Sequence, residues 1–331
     1  MEEIDVVIPW VDGGDPVWQD TLRRYTPNPD VCDANFERYR DWDLLKYWFR
    51  GIERFAPWVR KVHFITCGQT PEWLNTANPK LNLVNHSDYI DEEYLPVFSS
   101  HPIELPIHKI NGLSDKFIYF NDDFFLIDNV IESDFFTKGL PNDAAIMNTI
   151  SGRFPMMLHI AVNNQEIINR NFTKYQVIKN SISKWFSPKY KLGIYRNLAL
   201  LAWPNFTGFL DFHLPQAYLK STLETVWEKE DVVLRKSLAS KFRSISDVNM
   251  YLFRYWQLCS GKFHPKDVSK LGCYFDVINE QNVDEIAAVV KNGRSKVIVI
   301  NDGDVQNFDL VKARLNSSFE QRLPNKSNFE K

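Results

Sequence analysis

Two polar pairs each follow a short apolar run and could take part in metal or phosphate chemistry. Asp122 and Asp123 follow the segment KFIYF, and Asn301 and Asp302 follow VIVI. Adjacent carboxylates repel each other, so placing them at a strand end is costly unless a cation or a catalytic base role uses them. Mg²⁺ binds a few carboxylates together with substrate phosphates. The pattern favours a shared metal or phosphate site, and its alternative is two solvated turns.

A third acidic loop follows the first strand-like segment, IDVVIP, and adds an aromatic side chain. Trp10 and Asp12 lie within this loop and Gly13 follows them. An aromatic ring beside a carboxylate suits the binding of a base or a sugar ring. A surface turn is the alternative, because Asp-Gly after a strand is a common turn sequence.

Two isolated residues have side chains suited to proton transfer and phosphate binding. His213 could be a general acid or base, although a single histidine is more often structural. Arg243 could bind a phosphate through two parallel hydrogen bonds, or it could form a salt bridge at a helix end. The sequence does not choose between these roles.

A further group, His101, Glu104 and His108, has the spacing of metal ligands on one helix face. Pro102 and Pro106 interrupt the segment and disfavour a regular helix. We therefore expect ordinary hydrogen bonding in a loop rather than a zinc site.

The elements that must position these residues alternate between strands and helices. Strand-like runs are IDVVIP, VHFIT, LNLV, KFIYF and VIVI, and helical periodicity is clearest over residues 43–56, about 215–240 and 246–261. Alternation in the first 130 residues predicts a largely parallel sheet. Ligands of such sheets collect at the carboxyl ends of the strands, where we expect the three acidic loops to meet.

The charge of the chain is nearly balanced overall but uneven along its length. Lys and Arg number 39 against 42 Asp and Glu in 331 residues, which argues against a nucleic-acid binder. No acidic residue lies between Glu166 and Asp211, where seven basic residues are interleaved with aromatic ones. This segment could contact anionic lipid, or it could be a solvated surface or a groove for a charged polysaccharide. The basic residues are Arg170, Lys174, Lys179, Lys184, Lys189, Lys191 and Arg196.

Targeting and redox signals in the sequence predict a cytoplasmic protein. The four cysteines are far apart and form no C-x-x-C pair, which disfavours a zinc site or a disulfide framework. The acidic start, MEE, is not typical of a secretory signal, and no apolar run approaches the roughly 20 residues that span a bilayer.

Four segments in order resemble the Stealth family of sugar-phosphate transferases. That family includes bacterial capsular and exopolysaccharide phosphotransferases and the lysosomal-enzyme N-acetylglucosamine-1-phosphotransferase of animals. The first segment is IDVVIPWVDGGDP, and the second comprises RDWDLLKYWFRGIERFAPWVRKVHFIT, GQTPEWLN and LPVFSSHPIELPIHKINGLSDKFIYFNDDFFL. The third comprises FHLPQAYLK and KFRSISDVNMYLFRYWQLCSGK, and the fourth is VIVINDGD with the closing LPNKSNFE. Residues from about 140 to 210 lie outside the resemblance.

The resemblance implies an α/β fold similar to the nucleotide-diphospho-sugar transferases (GT-A-like), with a mixed sheet flanked by helices and a helical basic insertion. We accordingly divide the chain into three parts. These are residues 1–140, the N-terminal half of the catalytic domain; residues 141–210, a basic and aromatic-rich insertion or subdomain; and residues 211–331, the C-terminal half.

The activity implied is transfer of a hexose 1-phosphate from a UDP-sugar to an acceptor hydroxyl, with release of UMP. The products would be phosphodiester linkages in a capsular or exopolysaccharide, and Mg²⁺ or Mn²⁺ would be required. The acceptor is expected to be a saccharide, in one version carried on a polyprenyl diphosphate at the inner face of the cell membrane. Alternatives are a conventional metal-dependent glycosyltransferase that releases UDP and a non-catalytic module that binds sugar nucleotides or polysaccharide.

The resemblance also assigns roles to individual residues. Arg243 would stabilise charge on the transferred phosphate, and either Asp123 or His213 would accept the proton of the acceptor hydroxyl. The expected catalytic residues are Asp123, His213, Arg243 and Asp302, and the expected metal ligands are Asp122, Asp123 and Asp302. The expected substrate-binding residues are Trp10, Asp12, Gly13, Arg50, Ser100, Glu104, His108, Asn121 and Asn301.

Overall fold

Short strands recur along the whole chain between helices. The computed structural model describes residues 3–26, 39–277, 280–303, 305 and 307–331. In chain order its strands are β1 (Ile4–Pro9), β2 (Val62–Thr66), β3 (Leu81–Asn85), β4 (Lys116–Tyr119), β5 (Phe124–Leu126), β6 (Phe136–Thr137), β7 (Leu140–Asp143), β8 (Gln216–Leu219), β9 (His264–Pro265), β10 (Gly272–Val277) and β11 (Val297–Asp302).

Helices of very different lengths connect these strands. They are α1 (Pro16–Tyr25), α2 (Leu45–Phe55), α3 (Ser100–Glu104), α4 (Glu132–Phe135), α5 (Pro155–Asn171), α6 (Lys174–Asn180), α7 (Ile182–Trp185), α8 (Gly193–Leu200), α9 (Lys220–Leu238), α10 (Tyr251–Cys259), α11 (Glu280–Asn292) and α12 (Phe308–Arg322). None of these helices combines the length and the apolar character needed to cross a bilayer, as judged over the described residues.

The main sheet has five strands in the order β3–β2–β1–β4–β8. Strands β1 to β4 run parallel, and β8 pairs antiparallel with β4. The parallel arrangement predicted for the first 130 residues is therefore confirmed. It brings the loops that follow β1 and β4 to the same edge, because these two strands are parallel neighbours.

A smaller sheet, in the order β10–β11–β5, carries the acidic loop that begins at Asn301 and Asp302. We expected that loop at the end of a strand of the main sheet, and this expectation is wrong. Strand β11 instead pairs antiparallel with β5, which begins immediately after Asp123. The end of β11 still lies beside the loop after β4, because β5 follows that loop in the chain and pairs with β11.

The main sheet is buried on both faces, as parallel sheets are. Alternate side chains of β1 point to opposite faces, so Ile4 and Val6 pack in one apolar cluster and Val7 in another. The first cluster contains the apolar face of α2, with Trp48 and Phe49 buried. The second cluster contains residues of α5, α9 and α10.

The basic middle of the chain is helical, as predicted, and comprises α5 to α8. Helix α5 packs against α10, and buried residues of the segment belong to the same cluster as residues before 140 and after 211. The segment thus shares its core with the parts of the chain that precede and follow it. The predicted α/β class, with a mixed sheet flanked by helices, is confirmed.

Two predicted helix starts are displaced in the structure. The helix expected from about residue 215 begins at Lys220, because the four residues before it form β8 and pair with β4. The helix expected from residue 246 begins at Tyr251. Its expected cap, Asp247, instead accepts hydrogen bonds from the Ser244 backbone (2.8 Å) and the Ser240 hydroxyl (2.7 Å).

Candidate active site

The ends of β4 and β11 lie side by side and bring the two polar pairs together. The Ile300 N–H donates a hydrogen bond to the Asp123 carbonyl (3.0 Å), and Val299 is paired with Phe124 in the β11–β5 ladder. Asn301 and Asp302 are the last two residues of β11. Backbone pairing therefore fixes the spacing between the two pairs.

Asp123 forms a contact with His213, a residue almost a hundred positions away in the chain. Their closest atoms, Asp123 Oδ2 and His213 Nε2, are 3.5 Å apart, and both side chains are partly exposed. The imidazole ring lies edge-on to Phe124 (4.9 Å between centroids) and to Tyr274 (5.6 Å). These aromatic contacts hold the ring beside the carboxylate, where a protonated imidazole and the carboxylate attract each other.

The loop that carries His213 is fixed by a buried arginine. Arg254 donates to both carboxylate oxygens of Asp143 (2.9 Å each) and to Asp211 (2.6 Å), two residues before His213. The Tyr255 hydroxyl also donates to Asp211. Because Asp211 binds both Arg254 and Tyr255 of α10, the loop that carries His213 is tied to that helix.

Asp122 is accessible to solvent, although many protein atoms surround it. Desolvation there, with repulsion from Asp123, raises the pKa of Asp122 to about 7. Asp41, in the loop before α2, also repels Asp122 and contributes to its raised pKa. Burial raises the pKa of Asp41 as well, and repulsion from Asp12 contributes to that rise. Asp41 thus interacts both with Asp12 after β1 and with Asp122 after β4.

Asp302 is bound by an arginine that the predictions did not include. Arg40 donates to both Asp302 oxygens, from Nε (3.1 Å) and from one terminal nitrogen (2.8 Å), and also to the Gly303 carbonyl (3.1 Å). Beside it, the Asn301 amide donates to Asp276 on β10 (2.8 Å). The ion pair of Arg40 with Asp302 joins the end of β11 to the chain segment that precedes α2.

The side chains that are available as ligands decide how well the site suits a divalent cation. Within the part of the chain that the structure describes, no three histidine, cysteine or carboxylate side chains form a metal-binding group by themselves. Mg²⁺ needs only one or two protein carboxylates when phosphates and water supply its other ligands. Asp122 and Asp123 fit that requirement, whereas both oxygens of Asp302 are engaged by Arg40.

A cleft of about 810 Å³ opens beyond the carboxyl ends of β1, β2 and β3. Trp10, Asp12 and Gln69 line it, together with Trp18 and Phe98. Gln69 accepts from the Asp12 N–H (2.8 Å) and donates to the Asp12 carbonyl (2.9 Å), which fixes the loop after β1. The cleft has the volume and the aromatic walls of a small-molecule site.

Gly13 allows another segment to lie close to this loop. A Cβ atom at position 13 would lie 2.0 Å from the Tyr39 carbonyl oxygen, which excludes any larger residue without backbone movement. The Tyr39 hydroxyl donates to the Phe98 carbonyl (2.8 Å) on the cleft wall. The absence of a side chain at Gly13 therefore lets Tyr39 pack against the loop after β1, in addition to any contact of Gly13 with a substrate.

Arg243 lies on a loop that is held against the wall of the cleft. The preceding residue, Phe242, stacks on Phe98 with centroids 5.3 Å apart. The Lys241 carbonyl accepts from the Phe98 N–H (2.8 Å), and Asp247 anchors the other end of the loop through Ser244. The structure thus brings the Arg243 segment to the cleft that Trp10 and Asp12 line.

Arg50 is not brought to this cleft. Its guanidinium is buried and donates to both oxygens of Glu330 (2.9 Å each), to Glu320 (3.1 Å) and to the Leu323 carbonyl (2.7 Å). Its partners all belong to α12 and the segment after it. These contacts give Arg50 a structural role, and we leave it out of the candidate site.

His101 and Glu104 lie in the short helix α3, so the expectation that they occupy a loop is wrong, but each has a separate partner. Buried His101 contacts Asp247 (3.1 Å), and buried Glu104 accepts from the Tyr119 hydroxyl (3.1 Å). His108 lies beyond the helix, with its ring 5.6 Å from Trp227, and burial lowers the pKa of His108 to about 4. Ser100, the first residue of α3, is partly buried.

Several residues that position the site were not predicted individually. Arg40, Asp41 and Gln69 lie inside the family-like segments, so a closer inspection of RDWD and GQTPEWLN could have found them. Tyr274 and Asp276 lie on β10, outside every quoted segment. Nothing in the sequence around these two residues points to a site.

Two conserved-region models of one protein family match the chain. Stealth protein CR1, conserved region 1, matches residues 2–30, and Stealth protein CR2, conserved region 2, matches residues 38–143. Together they cover the loops after β1 and β4.

Curated proteins match over the full length. A capsular polysaccharide phosphotransferase (WcwK) of Streptococcus pneumoniae is 40% identical over 100% of this chain and 99% of its own. A receptor polysaccharide phosphotransferase (WefC) of Streptococcus oralis is 40% identical over 100% of both chains. An exopolysaccharide phosphotransferase (cps2G) of Lactiplantibacillus plantarum is 37% identical over 99% of this chain and 96% of its own. Among solved structures, mouse xyloside xylosyltransferase 1 in its apo form aligns with 92% of this chain and 98% of its own, at 12% identity and a TM-score of 0.36.

Proposed function

The chain belongs to the Stealth protein family, and we propose that it transfers a hexose 1-phosphate from a UDP-sugar to a hydroxyl group of a saccharide, releasing UMP. The relatives are named as capsular, receptor and exopolysaccharide phosphotransferases. The product we propose is a phosphodiester linkage in such a polysaccharide. The observation that most supports this reaction is the contact of His213 with Asp123, beside Asp122, at the convergence of the two sheets.

The reaction exchanges one phosphorus–oxygen bond for another. The acceptor oxygen attacks the β-phosphorus of the UDP-sugar, which carries the sugar. The bond from that phosphorus to the bridging oxygen breaks, and the bridging oxygen leaves with UMP. Catalysis of such a transfer rests on positioning and on neutralising phosphate charge.

Asp123 and His213 accept the proton of the attacking hydroxyl as one unit. Their side chains are 3.5 Å apart, so a proton taken by the imidazole leaves a positive charge next to the carboxylate. That charge pair lowers the energy of the protonated state. Arg254 acts on this unit indirectly, because it fixes Asp211 and thereby the loop that carries His213.

Asp122 and Asp123 would hold Mg²⁺ or Mn²⁺, and a cation bound there supplies charge neutralisation to the diphosphate. Asp302 contributes by orienting Arg40, whose guanidinium it binds through both oxygens. Arg243 stabilises negative charge that develops on the transferred phosphate. Asn121 and Asn301, at the ends of the same strands, bind the substrate.

The 810 Å³ cleft is the proposed site for the nucleotide part of the donor. Trp10 provides an aromatic face for the base, and Asp12 and Gly13 form the loop that follows it. We further propose that the acceptor is presented on a polyprenyl diphosphate and that the protein meets it peripherally at the inner face of the cell membrane. The basic residues between positions 170 and 196 support that contact.

A donor screen with purified protein tests the reaction directly. UDP-sugars are incubated with Mg²⁺ and a saccharide acceptor, the released nucleotide is identified by chromatography, and the product is examined by phosphorus NMR. UMP with a new phosphodiester signal is the expected result, and Asp123→Asn is the inactive control. UDP instead of UMP would identify a glycosyltransferase, and no nucleotide release with any donor would point to a binding module.

A further inference from the structure

Helix α8, the residue before it and the turn after it carry five large apolar side chains that are exposed to solvent. Leu192, Tyr195 and Leu198 are 79%, 67% and 50% exposed, and Leu201 and Trp203 are 44% and 53% exposed. We refer to these five residues as the apolar ridge. An apolar patch of this kind on a protein surface marks a site of interaction with a partner or a membrane.

The ridge is held rigidly by the opposite face of α8. Asn197 is fully buried and donates to the Ala145 carbonyl (2.8 Å) and to the Trp185 carbonyl (2.6 Å), and it accepts from the Met147 N–H (2.6 Å). At about 100° per residue, Leu192 and Tyr195 lie on the far side of the helix from Asn197. One face of α8 is therefore anchored in the core while the other presents apolar side chains to solvent.

A buried lysine fixes the end of the ridge. The Lys174 ammonium donates to the Leu200 carbonyl and to the Trp203 carbonyl (2.6 Å), which satisfies the carboxyl end of α8. The backbone of Trp203 is thus held while its side chain remains exposed. The neighbour of Lys174, Tyr175, is also 68% exposed and extends the aromatic surface.

Exposed basic residues accompany the ridge. Lys189, Lys191 and Arg196 are exposed, and we call them the basic flank. Arg196 donates to the Asn148 amide oxygen (2.6 Å), and Lys191 has Asp267 at 3.9 Å on its outer side. No acidic residue lies between positions 166 and 211, so the chain segment that forms the ridge supplies no counter-charge.

From this combination we infer that the apolar ridge and its basic flank bind the surface of an anionic lipid bilayer. Helices that lie in a membrane interface carry Trp and Leu on one side and Lys or Arg beside them. Tyr and Trp, which make up two of the five ridge residues, favour the boundary between headgroups and acyl chains. The inference specifies where the membrane contact included in the proposed function is made, and it does not depend on the phosphotransfer chemistry.

Vesicle flotation with purified full-length protein tests this surface. Vesicles of phosphatidylcholine alone are compared with vesicles containing phosphatidylglycerol, at low and high salt. Native protein is expected to bind only the anionic vesicles and to be released by salt. Replacing the three basic-flank residues by Gln should lower the partition coefficient about 10²-fold, at about fivefold for each charge. Replacing Leu192, Tyr195 and Trp203 by Ser should lower it at least about tenfold.

Matched substitutions of exposed residues on α9, and of Ile245 in the segment after it, provide controls. Val232→Ser with Ile245→Ser removes exposed apolar residues elsewhere, and Lys229→Gln with Lys236→Gln removes exposed charges. These variants should bind vesicles like native protein, and thermal unfolding confirms that every variant is folded. UMP release with a soluble acceptor is measured in parallel, so loss of vesicle binding is distinguished from failure of the proposed reaction.

Four results would overturn the inference. The first is failure of native protein to bind anionic vesicles, and the second is equal binding to neutral vesicles. The third is native-like vesicle binding by the ridge variant, and the fourth concerns the oligomeric state. A native dimer, seen by light scattering, that the ridge variant converts to a monomer would assign the ridge to a second copy of the chain.

Discussion

Removing the Asp123 carboxylate and the His213 imidazole, separately and together, tests whether they act as one unit. Their closest atoms are 3.5 Å apart, with His213 39% and Asp123 21% exposed. Coulomb's law gives an attraction between imidazolium and carboxylate of about 1 kcal/mol at a dielectric constant of 80 and about 5 kcal/mol at 20. The partial exposure of both groups favours the lower half of this range. Asp123→Asn should therefore slow the chemical step by about 10² even without its effect on a cation.

The expected pattern in the double variant is strongly non-additive. His213→Gln alone should cost about 10² to 10⁴ in turnover, as the loss of a general base does. Without His213 there is no imidazolium for the Asp123 carboxylate to stabilise. Asp123→Asn should therefore cause little further loss of turnover through this interaction. Turnover is measured as UMP release under single-turnover conditions, so that product release does not mask the chemical step.

Asp128→Asn provides the matched control, because Asp128 follows the opposite end of β5 and is 44% exposed. It should retain native turnover. The interpretation of Asp123 and His213 as one unit would be refuted if the losses of the two single variants multiplied in the double variant. Native turnover in either single variant would refute it as well.

Four further predictions concern other parts of the molecule. Arg50→Ala should lower the free energy of unfolding by roughly 3–5 kcal/mol, measured by urea denaturation, because it leaves buried Glu330 without its partner. Arg243→Ala should reduce UMP release at least about 10²-fold without changing the melting temperature. A chelator should abolish nucleotide release, and Mg²⁺ or Mn²⁺ should restore it. Burial lowers the pKa of His86 to about 4 from its ordinary 6.5, so the unfolded chain binds more protons between these values. The free energy of unfolding should consequently fall by about 2 kcal/mol between pH 7.5 and pH 5, and His86→Asn should remove that part of the pH dependence.

Each of these predictions has an outcome that contradicts it. A higher KM with unchanged stability in Arg50→Ala would give Arg50 a role in substrate binding, and exposed Arg54→Ala is its control. Undiminished activity in Arg243→Ala would exclude its role at the phosphate. Full activity after exhaustive chelation would exclude a required cation, and an unchanged pH dependence in His86→Asn would exclude its neutral burial as the cause.

The local features of the site could be predicted from the sequence. Apolar runs that end in polar residues predicted the end of β1 at Pro9, as observed, and the ends of β4 and β11 within about one and two residues of Tyr119 and Asp302. Parallel pairing of β1 with β4 then follows from general rules for alternating strands and helices. The helix α2 was equally predictable, because its apolar residues recur with the helical period and Pro57 follows its end.

Contacts between distant segments could not be predicted in this way. Arg40 and Asp302 are separated by 262 positions, and neither residue carries a local sign of the other. The placement of β11 in a second sheet depends on its antiparallel pairing with β5, a strand of three residues that has no periodicity to recognise. Arg50 lies in a family-like segment, but its partners are set by the packing of α12, which the sequence pattern of α2 does not reveal.

The hydrogen bond from Ile300 to Asp123 has a consequence for the order in which the chain acquires activity during synthesis on the ribosome. Residues of β1 to β4 are translated before those of β8 and β11. One domain generally folds as a unit, and the core cluster on one face of the main sheet includes residues of α9 and α10. The segments that line the proposed nucleotide cleft are therefore made well before His213 and β11. The proposed site is complete only when β11 is in place and Ile300 donates its hydrogen bond to the Asp123 carbonyl.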